Sequence, residues 1–268
     1  GGGSGLGKSM ALRFAELGAQ VALSGRTVDR LEETAQEITD RGGRAHVAPM
    51  DIRDPEQVNE AVASTIDALG KIDILVNNAA GNFLCQAQKL SPNGFNAVVG
   101  IVLNGTFHCT HAVGNHLIER GVGGTILNIV TTYAWTGSAF VLPSACAKAG
   151  VLALTRSLAV EWARYGIRLN AIAPGPFPTE GAWSALMPDD SFEEMARQRI
   201  PLRRFGEHHE LTNLATYLLA DGSAYVTGEC VTIDGGEWLM GGEFNSLTMM
   251  PPDNIDAAFD MMRKKREK

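Results

Sequence analysis

Short β-rich runs alternate with helical patterns along this chain, and that alternation restricts its fold more than any other feature. AQVALSG (19–25), RAHVAPMD (44–51), KIDILVNNAAG (71–81), GGTILNIVTT (123–132), IRLNAIAPG (167–175) and CVTIDGG (230–236) read as strands running into loops. Between them, VDRLEETAQEITDRGG (28–43) carries Leu31, Ala35 and Ile38 at helical spacing, then glycines that can end a helix. DPEQVNEAVASTIDALG (54–70) opens with Asp54 as N-cap and Pro55 at the first helical position. Alternating strands and helices imply βαβ units, hence an α/β fold: a doubly wound parallel sheet with helices on both faces. DILV and ILNIV are almost wholly apolar, as strands covered on both sides must be.

The 268 residues contain no repeat and no Pro-, Gly- or Ser-rich linker, so residues 1–268 are expected to form one domain. A net charge of −7 argues against a nucleic-acid surface. The one basic run, RKKREK at 263–268, reads as a solvated helix end. Cys85, Cys109, Cys146 and Cys230 are far apart with no CxxC pair, which predicts reduced thiols and no metal site. Cys146 is expected to be an inert core residue. No run of 18 apolar residues is present to span a membrane. Reduced thiols and a C-terminus without a peroxisomal tripeptide place the chain in the cytoplasm, with the mitochondrial matrix as the alternative.

GGGSGLGKSM sets Gly1, Gly5 and Gly7 directly before a helix, where backbone N–H groups and the helix N-terminus can approach a pyrophosphate. Such a turn ordinarily follows a strand, and none precedes Gly1. The natural chain is therefore expected to start earlier. About twenty residues on, Ser24-Gly25-Arg26-Thr27 offers no carboxylate for a ribose 2′-hydroxyl but does offer Arg26 for a 2′-phosphate, which favours NADP(H). Asp51 stands at a strand end where an adenine amine could be bound. NNAAG (77–81) brings a polar backbone to the same edge.

Together with Lys148 of SACAKAG, RLNAIAPGP and TIDGG, these segments resemble the short-chain dehydrogenase/reductase family over essentially the whole chain. The resemblance implies a Rossmann-like sheet and a homo-oligomer, a tetramer in the first instance. It also implies cofactor contacts from Gly1, Gly5, Leu6, Gly7, Arg26, Asp51, Asn78, Lys148, Pro174, Gly175, Phe177 and Thr179. The family's Tyr-x-x-x-Lys pair is altered: Ser144 stands where the tyrosine belongs, Thr131 replaces the serine, and Val102 aligns with the helix asparagine, although Asn104 is nearby. A serine hydroxyl ionises far above the roughly 10 of a phenol, so it cannot replace tyrosine as proton donor.

Tyr133 and Asn82, each on a loop after a strand at the C-terminal edge, can take over. Two neutral donors aimed at one oxygen form an oxyanion hole suited to an enolate. GNF (81–83), KLSPN (89–93), TTYAWTGSAF (131–140), PSACAK (143–148), PGPFPTEGAW (174–183) and GGEFN (241–245) resemble the 2,4-dienoyl-CoA reductase branch of the family. That resemblance implies hydride transfer from NADPH to the δ-carbon of a dienoyl-CoA thioester and a 3-enoyl-CoA product. Tyr133 and Asn82 would hold the dienolate, Lys148 would bind the nicotinamide ribose, and Ser144 would support the network. Arg53, Phe83 and Ser91 match acyl-CoA contacts, while Ala185 stands where mitochondrial relatives carry an arginine. The segment 176–205, with Trp183, is expected to cover substrate, and Trp135 either packs there or touches substrate. Two alternatives stay open: another reductase of the family acting on a ketone or enone, and an NADP-binding module without chemistry.

Overall fold

All six expected strands form, and every pairing between them is parallel. The computed structural model describes residues 1–179 and 189–266. Its strands are β1 (Gln20–Leu23), β2 (Arg44–Val47), β3 (Ile74–Asn77), β4 (Gly124–Ile129), β5 (Ile167–Pro174) and β6 (Cys230–Ile233). The helices are α1 (Gly5–Glu16), α2 (Val28–Asp40), α3 (Pro55–Leu69), α4 (Pro92–Val99), α5 (Gly105–Arg120), α6 (Tyr133–Thr136) and α7 (Leu142–Glu161). After them come α8 (Asp190–Arg199), α9 (His208–Leu219) and α10 (Pro252–Arg266). Local signals act as expected: Asp54 accepts hydrogen bonds from the Glu56 and Gln57 amides at 3.0 and 3.4 Å, capping α3 behind Pro55. The basic residues Arg263–Arg266 form the exposed last turn of α10. Among the described residues no helix is long and apolar enough to cross a membrane.

Successive β4 side chains serve opposite faces, as the two-residue strand period requires. Leu127 and Ile129 pack with Met10 of α1 and with Leu211, Ala215 and Leu218 of α9. Ile126 packs on the other side with Val113 and Leu117 of α5, and Val130 with Val151 of α7. The sheet is divided. β1 pairs only with β2, and β3 begins a separate four-stranded run in the order β3-β4-β5-β6. Between β1 and β3 lies a cavity of about 710 Å³, lined by Val21, Leu23, Val76, Cys109 and Val113 among others. The glycine turn crosses its end. The Gly1 amine donates to the Ser24 carbonyl at 2.5 Å, and Asn78 Nδ2 donates to the Gly1 carbonyl at 3.2 Å.

A polar chain crosses the middle of the four-stranded run. Asn77 Nδ2 donates to Thr110 Oγ1 at 2.9 Å and to Asn128 Oδ1 at 2.8 Å, and Asn128 Nδ2 donates to Thr155 Oγ1 at 2.8 Å. All four residues are buried. The chain ties β3 and β4 to α5 and α7, and it fixes the strand ends from which the loops of the site emerge. Asn128→Ala breaks two of these bonds inside the core and opens a void there, while Asn77 Nδ2 keeps its bond to Thr110 and Thr155 Oγ1 its bond to Val151. We expect it to lower stability by about 3 kcal/mol, read from the urea midpoint at constant m-value.

Candidate active site

The glycine turn closes tightly only because it lacks side chains. A Cβ on Gly7 would stand 1.9 Å from the Gly1 carbonyl oxygen, and one on Gly5 would stand 3.3 Å from Thr179 Cγ2. Gly5 itself adopts φ +52°, in the left-handed region that glycine tolerates. No acidic residue occupies the first turn of α1, so its orphan N–H groups and dipole face outward without a competing carboxylate. This cradle fits the pyrophosphate of a dinucleotide. Leu6 is half-buried against the core cluster of α1 and α9. Pro174 and Gly175 pair with the Ile233 end of β6, and a Cβ on Gly175 would meet Asp234 at 2.6 Å.

Phe177 departs from a simple cofactor contact. Its side chain is only 8% exposed, packs in the core with Leu211, and lies where a Cβ on Gly206 would be. Its backbone is what remains for a ligand. Residues 180–188, including Trp183 and Ala185, lie outside the described residues. The rest of the expected covering segment includes α8 and the buried Ile200.

Arg26 is exposed at the turn after β1, near enough to Asp51 to help hold that carboxyl down. The main cause is closer: Arg53 Nε donates to both Asp51 oxygens at 3.0 and 3.1 Å and draws the carboxyl pKa down to about 2. Two residues with separately expected roles, Asp51 toward adenine and Arg53 toward acyl-CoA, are therefore partners here. Phe83 and Ser91 also come together. The Ser91 hydroxyl caps α4 by accepting the Gly94 amide at 3.1 Å, and Phe83 lies against that same glycine.

Lys148 is 5% exposed, one turn after the buried Ser144 on α7, and its ammonium donates to the Ile129 carbonyl at the end of β4. An ammonium has three protons, so two remain for sugar hydroxyls. Burial without a counter-charge lowers its pKa from 10.5 to about 8. The Tyr133 hydroxyl sits 3.0 Å from Ser144 Oγ. When Ser144 is the donor, the phenolic hydrogen is free to point at a ligand. Asn82 Oδ1 accepts the Phe83 amide at 2.9 Å, which turns its amide nitrogen outward as a donor. The Cys85 amide donates to the Phe140 carbonyl at 2.9 Å and so ties the Asn82 loop to the loop after Tyr133. Phe140 carries φ +66° to make this bond, an uncommon backbone for a bulky residue.

Thr131 Oγ1, buried beside this group, has no hydrogen-bond partner among the described residues. Trp135 packs edge-on against Trp238 at 5.8 Å between ring centroids, which takes it toward packing. Cys146 is a correction: it is exposed on α7, not in the core, because the buried stripe of that helix runs through Ser144, Ala147, Lys148 and Val151. No cluster of potential metal ligands occurs among the described residues. The bond that joins His208 to Ser9 had no sequence signal, since the two are 199 residues apart.

Residues 1–237 match a family model described as enoyl-(acyl carrier protein) reductase. A probable 2,4-dienoyl-CoA reductase [(2E)-enoyl-CoA-producing] from Bacillus subtilis is 48% identical over 240 residues, 89% of this chain and 94% of that one. A peroxisomal 2,4-dienoyl-CoA reductase [(3E)-enoyl-CoA-producing] from Arabidopsis thaliana is 40% identical, covering 89% and 83%. Among solved structures, a gluconate 5-dehydrogenase from Burkholderia cenocepacia in complex with NADP and tartrate superposes with TM-score 0.84 at 34% identity, covering 88% and 92%.

Lys148 generates a stability prediction. Below pH 8 the folded protein holds a desolvated charge that the unfolded chain keeps in water. Between pH 8 and 10.5 the folded state releases that proton first, so wild-type stability rises with pH. Lys148→Met should therefore raise the Tm of the cofactor-free protein at pH 7. The advantage should shrink as pH climbs from 8 to 10.5, measured by thermal unfolding across that range.

Proposed function

Because this chain belongs to the short-chain dehydrogenase/reductase family of oxidoreductases, we propose that it is an NADPH-dependent 2,4-dienoyl-CoA reductase of unsaturated fatty-acid β-oxidation. The observation that carries the reading is the Tyr133–Ser144 hydrogen bond. It sets the phenol beside the Lys148 helix but on α6, the short helical turn that follows β4, with a serine where the family's acid belongs.

NADPH, with its pyrophosphate on the Gly1–Gly7 turn and its ribose at Lys148, supplies a hydride. Arg26 meets the 2′-phosphate, Asp51 the adenine, and Asn78 and Thr179 the nicotinamide end. The chain's own residues act on the acyl group. Tyr133 O–H and Asn82 Nδ2–H donate to the thioester oxygen. Hydride arrival at the δ-carbon then shifts both double bonds toward that oxygen, and its growing charge strengthens both hydrogen bonds. Proton uptake at the α-carbon closes the reaction as a 3-enoyl-CoA. Phe83 and Ser91 line the acyl-CoA approach, and Arg53 reaches a phosphate by sharing or leaving Asp51.

A second reading has support in the name of the Bacillus subtilis relative: proton uptake at the γ-carbon, giving a 2-enoyl-CoA. The two differ in one proton position, and product analysis separates them. The same functional reading carries a homo-oligomer, a tetramer in the first instance, with exposed Phe107 on α5 and Val160 on α7 as parts of a contact face. It also carries a cytoplasmic setting, in keeping with four free cysteines.

Purified protein with NADPH should consume 2,4-hexadienoyl-CoA, with the dienoyl absorbance and NADPH falling together. Consumption of only a 3-oxoacyl-CoA would sink this reading. Tyr133→Phe and Asn82→Ala are each expected to lower kcat by roughly tenfold or more, since each removes one enolate donor. Near-normal kcat in both would remove the two-donor site. Arg26→Ala should raise KM for NADPH by about tenfold while leaving KM for NADH within twofold, a size fitting the loss of a charge-assisted contact.

A further inference from the structure

In PGPFP, residues 174–178, Pro176 and Pro178 have no N–H to donate, so the backbone of each can be held only through its carbonyl. Two hydrogen bonds do this from the same stretch of chain. The Gly206 amide donates to the Pro176 carbonyl at 3.0 Å, and His208 Nε2 lies 2.8 Å from the Pro178 carbonyl. A carbonyl only accepts, so Nε2 carries the proton. In the neutral ring Nδ1 is then an acceptor. It accepts a hydrogen bond from the Ser9 hydroxyl, 2.7 Å away on α1. The other acceptor within reach of that hydroxyl, the Gly5 carbonyl, is farther at 3.2 Å.

His208 thus links the helix behind the phosphate turn to the residue just before Thr179, and Thr179 lies against Gly5 of that turn. Its own footing is fixed. His208 is the first residue of α9, whose N-terminus is tied by Glu210. That carboxylate accepts the Glu207 amide at 2.8 Å and both Arg204 nitrogens at 2.7 and 2.6 Å, and the Arg204 bonds do most to lower its pKa to about 2.

We propose that His208 is a positioning residue for the nicotinamide dinucleotide: through Ser9 and the Pro178 carbonyl it sets the distance between Thr179 and the phosphate turn. The inference rests on the reading of that turn as the dinucleotide site. It does not depend on which acyl substrate is reduced.

The test is NADPH binding to the full chain, titrated by cofactor fluorescence without acyl-CoA, beside thermal unfolding of each free protein. His208→Phe keeps ring volume and loses both bonds. It should weaken Kd about tenfold, the size of one to two hydrogen bonds. His208→Gln places an amide nitrogen where Nε2 stands, keeps the Pro178 bond, and should recover most of the affinity at a Tm like that of the Phe variant. Ser9→Ala should weaken binding by roughly threefold alone and by nothing further in the Phe background. A Kd within twofold of wild type for His208→Phe, a Gln variant no better than Phe, or additive Ser9 and His208 effects would overturn the proposal. If the Phe variant does not fold, wild-type Kd in Ser9→Ala overturns it. Normal NADPH binding with no dienoyl-CoA turnover in the wild type would instead count against the substrate reading.

Discussion

An ammonium buried at the end of β4 is the constraint around which this site is built. Lys148 sits in the small-residue stripe of α7 with the Ile129 carbonyl as its hydrogen-bond partner and, among the described residues, no carboxylate to balance it. Such a placement costs folding free energy, and a chain retains it where a ligand can use the remaining protons. It also fixes its neighbours. Ser144 shares its helix face, and the Tyr133 hydroxyl meets it from outside α7.

The strand ends in turn depend on the buried Asn77–Asn128–Thr155 chain, which holds β3 and β4 in register with α5 and α7 behind them. From these ends emerge the two loops that carry Asn82 and Tyr133. The bond from Cys85 to Phe140 joins them, with positive φ at Phe140. Backbone in so uncommon a conformation persists where surrounding contacts over-determine it, and such residues cluster at functional sites. In the proposed function, rigid strands, a tie between the connections and two neutral donors would together favour charge on a substrate oxygen.

Much of this was legible before any coordinates. Strand positions follow from β-rich runs between helical patterns, and Asp54-Pro55 marks the start of α3 because cap chemistry is local. The altered Tyr-x-x-x-Lys pair pointed to Tyr133, and the structure puts that phenol against Ser144. Other features carry no readable signal in the sequence. The Asn128 side chain sits inside an apolar strand, and the facing Asn77 and Thr155 explain it. Asp51 and Arg53 were assigned to different ligands, yet two residues apart on one turn they pair with each other. Cys146 was expected in the core because small neighbours on both sides hid which stripe of α7 is buried. The Ser9–His208 contact joins residues 199 apart and could be found only in three dimensions.

The central claim is that Tyr133 and Asn82 stabilise a dienolate, so that hydride enters at the far end of the conjugated system. Reduction of 2,4-hexadienoyl-CoA with NADPH deuterated at the transferred C4 position, followed by NMR of the product, tests this directly. The expected result is deuterium on the δ-carbon, C5, of an enoyl-CoA. Deuterium on C3, or transfer only to the carbonyl carbon of a 3-oxoacyl substrate, would contradict it.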